Sequence, residues 1–367
     1  MRIPYSYLDR QFVGVDDYLG DIRQVVTSGD FTLGSGVEQF EERFAQLTGL
    51  PHAIGVSSGT DALILSLKAL GIGPGDEVIT CPNTFVATVG AIAATGARPV
   101  FVDNGEDFTI DVNRIEDAIT PRTKAIMPVH LTGCPADMPA IMEIARRRNL
   151  MVVEDAAQAI LAAIDGKHVG SWGETAGFSL HPLKNLNIWG DGGVIVTRSA
   201  ELDRKLRLLR NHGLTDRDHV EFWGENCRLD TVQAVVALRL MGDVHTITDA
   251  RIANAARFDN AFSDLGDFIT LPPLRQNVKR VFHTYVVHAK DRDLLLDYLI
   301  GKGVDAKVHY PIPLHLQLAA KDLGYNRGDF PVCERHCETI ITLPVHQHLV
   351  PEEIDYVIDC VRSFYLS

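Results

Sequence analysis

From about Gly36 to Val196 the chain alternates apolar runs of strand length with stretches of helical periodicity, and this alternation constrains the fold more than any other feature. Strand-length runs at Glu77–Thr80, Pro99–Val102, Ala125–Val129 and Met151–Glu154 are separated by helix-like segments near Thr84–Ala94, Asn113–Ala118 and Ala136–Arg147. Strands joined through helices run parallel, so the region reads as a layered α/β domain with a mostly parallel sheet. Helices are also predicted at Val37–Leu47 and Asp61–Leu70, and strands at Thr175–Leu180 and Gly193–Thr197, which flank a loop from His181 to Gly192. The chain then turns helical, over Ala200–Leu209 and through a proline-free stretch from Asp230 to about Leu265. Pro272-Pro273 reads as the hinge into a smaller α+β unit. That unit is expected to hold strands near Phe282–His288 and Asp305–His309 and helices near Arg292–Gly301 and Pro351–Phe364. The expected division is a large domain over 1–245, followed by a connecting helix and small domain over 246–367.

Composition narrows the function classes. Of 367 residues, 46% are hydrophobic, and 35 Lys+Arg face 48 Asp+Glu for a net charge of −13, which excludes a disordered, collagenous or coiled-coil chain. Binding to phosphate polymers needs Lys and Arg, so neither nucleic acid nor an anionic membrane is an expected partner. The longest basic run, Arg146-Arg147-Arg148, reads as a solvated helix end. Charge interrupts the N-terminal residues before an apolar signal region could form, and the most apolar stretch, Val78–Val102, is broken by Pro82, Asn83, Gly90, Gly96 and Arg98. The six cysteines are scattered, as in reduced thiols of a cytoplasmic protein, and no disulfide framework is expected. Cys333-x-x-x-Cys337 with His336 between them has metal-like spacing but no second Cys/His pair nearby, so no metal is expected.

Three motifs carry chemistry. Ser57-Ser58-Gly59-Thr60 opens a helix, where free backbone N–H groups and hydroxyls can seat a phosphate; the same residues could serve only as a helix cap. No Gly-x-Gly-x-x-Gly or Gly-Lys-Ser/Thr loop follows a strand, so the phosphate is not expected to belong to a dinucleotide or nucleoside triphosphate. Glu154-Asp155 ends an apolar strand, at the edge where ligands of open α/β sheets bind. Lys184 sits in a loop among Leu180, Leu183, Leu186, Ile188 and Trp189, surroundings that lower an amine's pKa and favour the nucleophilic free base. A phosphate seat, a strand-end carboxylate and a nucleophilic lysine are together what pyridoxal phosphate requires.

In sequence order, Ser58-Gly59-Thr60-Asp61-Ala62-Leu63, Gly73-Pro74-Gly75-Asp76-Glu77-Val78, Thr84-Phe85-Val86-Ala87-Thr88, Glu154-Asp155-Ala156-Ala157-Gln158-Ala159, Lys184, Gly190-Asp191-Gly192-Gly193, Asn211-His212-Gly213 and Gly224-Glu225-Asn226 resemble, nearly end to end, the DegT/DnrJ/EryC1/StrS sugar aminotransferases. The resemblance implies a fold type I architecture and pyridoxal 5'-phosphate as cofactor, with pyridoxamine 5'-phosphate as its aminated form. It also implies that Lys184 is the Schiff-base lysine and Asp155 the partner of the pyridinium nitrogen. Gln158 is similar to the residue beside the cofactor's 3-oxygen, Phe85 to the aromatic residue stacked on the ring, and Gly59, Thr60 and Ser179 to phosphate ligands. Asn226 resembles a residue reaching the neighbouring subunit's phosphate, implying a homodimer with shared sites. Relatives that dehydrate sugars carry His where this chain keeps Lys184, so transfer from glutamate or glutamine to a keto-sugar, nucleotide-linked by the family's pattern, is the implied reaction. A keto-sugar without a nucleotide, a sugar acid or a cyclitol is the alternative acceptor, and a dehydratase, a lyase or a cofactor-binding regulator is the alternative role. His181, His309, Tyr310 and His315 are candidate sugar contacts that could equally be loop packing. Thr132 and Leu180 depart from the family pattern and are expected to reshape the acceptor pocket.

Overall fold

The computed structural model describes residues 1–366. A seven-stranded sheet forms the centre of the larger unit: β1 (His52–Val56), β2 (Glu77–Thr80), β3 (Arg98–Phe101), β4 (Thr123–Ile126), β5 (Met151–Asp155), β6 (Thr175–Ser179) and β7 (Gly193–Thr197), in the spatial order β1-β7-β6-β5-β4-β2-β3. The pairs β2/β3, β2/β4, β4/β5 and β5/β6 are parallel, as the alternation with helices predicts. β7 pairs antiparallel with both β6 and β1, because the loop from 180 to 192 returns the chain without a crossover helix. Strands β2 and β5 to β7 are almost wholly buried on both faces, which explains their unbroken apolar runs.

Helices Gly59–Ala69 and Val86–Ala94 help cover this sheet, with Leu63 and Leu67 of the first and Ala91 and Ile92 of the second packing on Val78, Ala125 and Val153. A second antiparallel sheet, β8 (Ile269–Thr270), β9 (Tyr285–Ala289) and β10 (Ile340–Leu343), carries its own core, where Phe258 and Phe262 meet Tyr285, Leu295, Leu299 and Val357. Ile3 is fully buried in this second core and exchanges backbone hydrogen bonds with Gly303 and Asp305. The extreme N-terminus therefore packs with the C-terminal residues, although the sequence reading grouped it with residues 1–245.

Three local expectations change. Asn113–Ala118 forms two one-turn 3-10 segments, Val112–Arg114 and Glu116–Ala118, the first capped by the Asp111 side chain. The stretch from Asp230 to Leu265 is two helices, Thr231–Leu240 and Val244–Phe262, broken at Met241-Gly242-Asp243. Asp305–His309 makes only an isolated bridge, Lys307 to Thr342, before Pro311 and Pro313 remove the donors a strand would need. Among the described residues no helix is long and apolar enough to cross a membrane, and all six cysteines are unpaired.

Candidate active site

The acidic pair at the end of β5 divides by strand phase, since successive side chains point to opposite faces. Glu154 is fully buried and accepts hydrogen bonds from the backbone N–H groups of Gly170 (2.7 Å), Trp172 (2.8 Å) and Gly173 (2.9 Å). Its fourth partner is His130, 3.0 Å away. His130 Nδ1 accepts from the Ala136 N–H, so its Nε2–H is the end that donates to Glu154. Glu154 is thus a structural anion. Asp155 faces the other way, into a cavity; one oxygen accepts from the Thr88 hydroxyl (2.7 Å) and the other from the Ala157 N–H (3.2 Å). With its proton committed to Asp155, the Thr88 oxygen accepts from Thr84, 2.8 Å behind it. Two threonines, one ahead of the helix Val86–Ala94 and one in its first turn, therefore aim the carboxylate.

Opposite lies Lys184, in the loop between β6 and β7. The loop is pinned by a tight turn, Lys184 N–H to His181 carbonyl at 2.8 Å, and by the Tyr7 hydroxyl donating to the Lys184 carbonyl at 2.9 Å. The lysine side chain keeps partial contact with cavity space, but protein encloses its amine. Desolvation lowers its pKa from 10.5 to about 8, with the Asp155 carboxylate pulling the other way. His283, His309 and His181 stand nearby, and each is held below the ordinary histidine range first by burial and then by the Lys184 charge, His309 to about 4.

At the other end of the cavity Ser58 caps helix Gly59–Ala69: its hydroxyl oxygen accepts from the Asp61 N–H at 3.0 Å. The N–H groups of Gly59 and Thr60 lie in the first turn, have no intrahelical partner, and border the cavity. Space here is tight. A Cβ on Gly59 would sit 2.7 Å from Ser179 Cβ, and one on Gly193 would lie 2.3 Å from the Ser58 carbonyl oxygen. Glycine at both positions lets β6, β7 and the helix start converge.

The cavity is about 370 Å³, and Gly59, Thr60, Phe85, Asp155, Gln158, Ser179, Lys184, His181, His309 and Tyr310 all line it. Phe85 exposes about half its surface, and its ring centroid lies 6.0 Å from that of Tyr310. Gln158 Oε1 accepts from the Thr132 N–H at 2.7 Å, so Thr132 also reaches the wall. Two expected residues are elsewhere. His315 is buried against Phe330 and bonded to Glu334 at 3.0 Å. Asn226 does not line the cavity of its own chain; its backbone bridges to Asn211. Leu180 is fully buried in the core beside Phe178 and Leu186, behind the wall rather than in it. Sequence reasoning missed Tyr5, His283 and Thr284, which also line the cavity, and the orienting role of Thr88. Tyr5, His283 and Thr284 come from segments far apart in the chain that no local motif marks.

Residues 15–362 match the DegT/DnrJ/EryC1/StrS aminotransferase family. The chain belongs to that family. It is 42% identical to a dTDP-3-amino-3,4,6-trideoxy-alpha-D-glucose transaminase of Streptomyces venezuelae, over 94% of this chain and 90% of that one. It is 41% identical to a UDP-N-acetyl-3-dehydro-alpha-D-glucosamine 3-aminotransferase of Acidithiobacillus ferrooxidans, over 95% and 93%. The solved structure of S. venezuelae DesV in complex with a ketimine intermediate superposes with a TM-score of 0.97 at 40% identity, covering 100% of this chain and 99% of that chain. Other matching structures hold pyridoxal phosphate or pyridoxamine phosphate. This chain is a pyridoxal phosphate-dependent sugar aminotransferase of fold type I. Its cavity fits that cofactor chemically: an enclosed amine for the aldehyde, a buried carboxylate for the ring nitrogen, and unpartnered helix N–H groups for the phosphate.

Proposed function

We propose that this chain moves an amino group from glutamate or glutamine to a keto-sugar carried on a nucleoside diphosphate, in two half-reactions of a ping-pong cycle. One observation carries the reading: the Lys184 amine, the Asp155 carboxylate and the Gly59 and Thr60 N–H groups border a single cavity. Pyridoxal phosphate, when bound, supplies an electron sink for the pair left at the donor's Cα.

The chain's own residues do the rest. Lys184 would hold the cofactor through Nζ, and its amine, when free, would be the base that takes the donor's Cα proton and gives it back. At a pKa of about 8, about one amine in ten is neutral at pH 7, against about one in three thousand for an ordinary lysine. Asp155, aimed by Thr88, would accept the ring N–H and keep that nitrogen protonated. Gln158, its carbonyl end committed to Thr132, would offer its amide NH₂ to the 3-oxygen, and Phe85 would cover the ring face. Gly59, Thr60 and Ser179 take the phosphate. His181, His309 and Tyr310 line the sugar side, where the imidazoles are neutral near pH 7. Asn226 lies outside its own cavity, which supports its service to a second subunit in a homodimer with shared sites. The division near residue 245 is part of this reading: one core is built almost wholly from residues before it and another, apart from Ile3, from residues after it.

The names of the relatives, on dTDP- and UDP-sugars, support a nucleotide-linked acceptor. One observation favours the second reading, an uncharged keto-sugar or cyclitol: Lys184 is the only Lys or Arg among the described lining residues. The test is spectroscopic. L-glutamate should bleach the visible band of the purified enzyme with one equivalent of keto acid formed, and a competent keto-sugar should restore it. Lys184→Ala should lose turnover and the visible band. Retained turnover in that variant removes Lys184 from the mechanism, and product without keto acid turns the reading to a lyase or dehydratase.

A further inference from the structure

Away from the cavity, three side chains that no sequence motif unites converge where the two units meet. Glu106 belongs to the loop after β3 of the large sheet, His288 to β9 of the small one, and His336 to helix Pro331–Thr339, which leads into β10. One potential ligand atom from each lies within 4.8 Å of the others.

Hydrogen bonding sets the protons of His288. The Thr339 hydroxyl donates to the Arg335 carbonyl at 2.7 Å, so its oxygen must accept from His288 Nδ1–H, also at 2.7 Å. That leaves His288 Nε2 as a bare lone pair, with the Nδ1 side held by a second-layer hydroxyl as in metal-ligating histidines. His336 is fully buried, wedged edge-on against Phe108 with its ring 5.0 Å from that of His288, and neither of its nitrogens has a hydrogen-bond partner among the described residues. Buried imidazole nitrogens are rarely left so. His336 Nε2 is 3.8 Å from Glu106 Oε2. Cys333 and Cys337 pack instead with Phe101 and Phe330, so the sulfurs flanking His336 in sequence do not join it.

We propose that Glu106, His288 and His336 form a divalent transition-metal site that clips the small unit to the large one. Two imidazoles and one carboxylate suit Zn²⁺ and its neighbours Co²⁺ and Ni²⁺, not Ca²⁺ or Mg²⁺, which prefer all-oxygen ligands. Ligand atoms about 2.1 Å from a tetrahedral ion sit about 3.4 Å apart, close to the observed Glu106–His336 separation, with the remainder taken up by the exposed Glu106 side chain. Glu106 now pairs with Arg335, and binding exchanges that surface ion pair for the metal bond. A hollow of about 320 Å³, bordered by Glu106, His288, Asp267 and Arg335, provides the entry path. The fourth ligand is water.

The test uses the full-length holoenzyme, freed of any polyhistidine tag and stripped with chelator. Titration with Co²⁺ should give one saturable ion per chain with the visible d–d bands of a four-coordinate site, and Zn²⁺ should raise the unfolding temperature. Glu106→Gln, on an exposed side chain that leaves folding intact, and His288→Gln should each weaken Zn²⁺ binding by at least about 10-fold by calorimetry, the floor set by losing even an outer partner of a ligand. Glu106→Gln should also keep the visible cofactor band. No saturable uptake by the stripped wild type, or uptake of equal affinity in both variants, overturns the proposal.

Discussion

The Lys184 amine can be tested through the rate at which apoenzyme captures pyridoxal phosphate, because only the neutral amine attacks the aldehyde. With a pKa of about 8, the neutral fraction is about 3% at pH 6.5, one half at pH 8 and about 90% at pH 9. Capture, followed by growth of the visible band in stopped flow and divided by the rate for a simple alkyl amine's neutral form, should rise about 30-fold from pH 6.5 to 9 and then level off. An ordinary lysine, with a pKa near 10.4, would give about a 300-fold rise over the same interval with no plateau. Asp155→Asn sharpens the test. The Asp155 charge raises the Lys184 pKa against the larger lowering by desolvation, so removing the charge should shift the midpoint below that of the wild type. A wild-type rate still climbing tenfold per pH unit beyond pH 9 would refute the desolvation argument, and a midpoint moving up in Asp155→Asn would refute the coupling.

Glu154→Gln places an amide NH₂ among three backbone N–H donors and His130, so it should cost about 3 kcal/mol in urea unfolding, whereas Asp155→Asn, one residue on, should alter capture and spare stability. Equal losses in both would contradict the division by strand phase. Gly59→Ala forces a methyl to within 2.7 Å of Ser179 Cβ, and the resulting overpacking of about 1–3 kcal/mol should weaken cofactor affinity about 5- to 150-fold by equilibrium dialysis. His315→Leu should lower stability by about 1–3 kcal/mol, since Glu334 loses a buried donor, and leave KM for donor and acceptor unchanged; a raised acceptor KM would return His315 to the site.

The parts of this protein that depend on neighbours in sequence were legible without a structure. The period of the apolar runs set the parallel sheet, because side-chain direction follows chain position by two along a strand and by 3.6 along a helix. The motifs around Gly59, Asp155 and Lys184 named a cofactor because each carries its chemistry within a few residues, and the three do meet at one cavity. The short turns of Asn113–Ala118 and the lost strand at Asp305–His309 were misread where local capping and proline outweigh periodicity.

What only the tertiary structure decided is which groups meet across long separations. It assigned Glu154 to the interior and Asp155 to the cavity, a choice that depends on what packs against each face of β5. Likewise it moved His315 out of the site and brought Tyr5, His283 and Thr284 in, although the first lies about 180 residues from Lys184. It also set His336 beside Glu106 and His288, which stand some 230 and 50 residues earlier in the chain. Such contacts arise because chain topology, not sequence spacing, determines which loops share an edge, and burial then fixes the charge state of whatever arrives there.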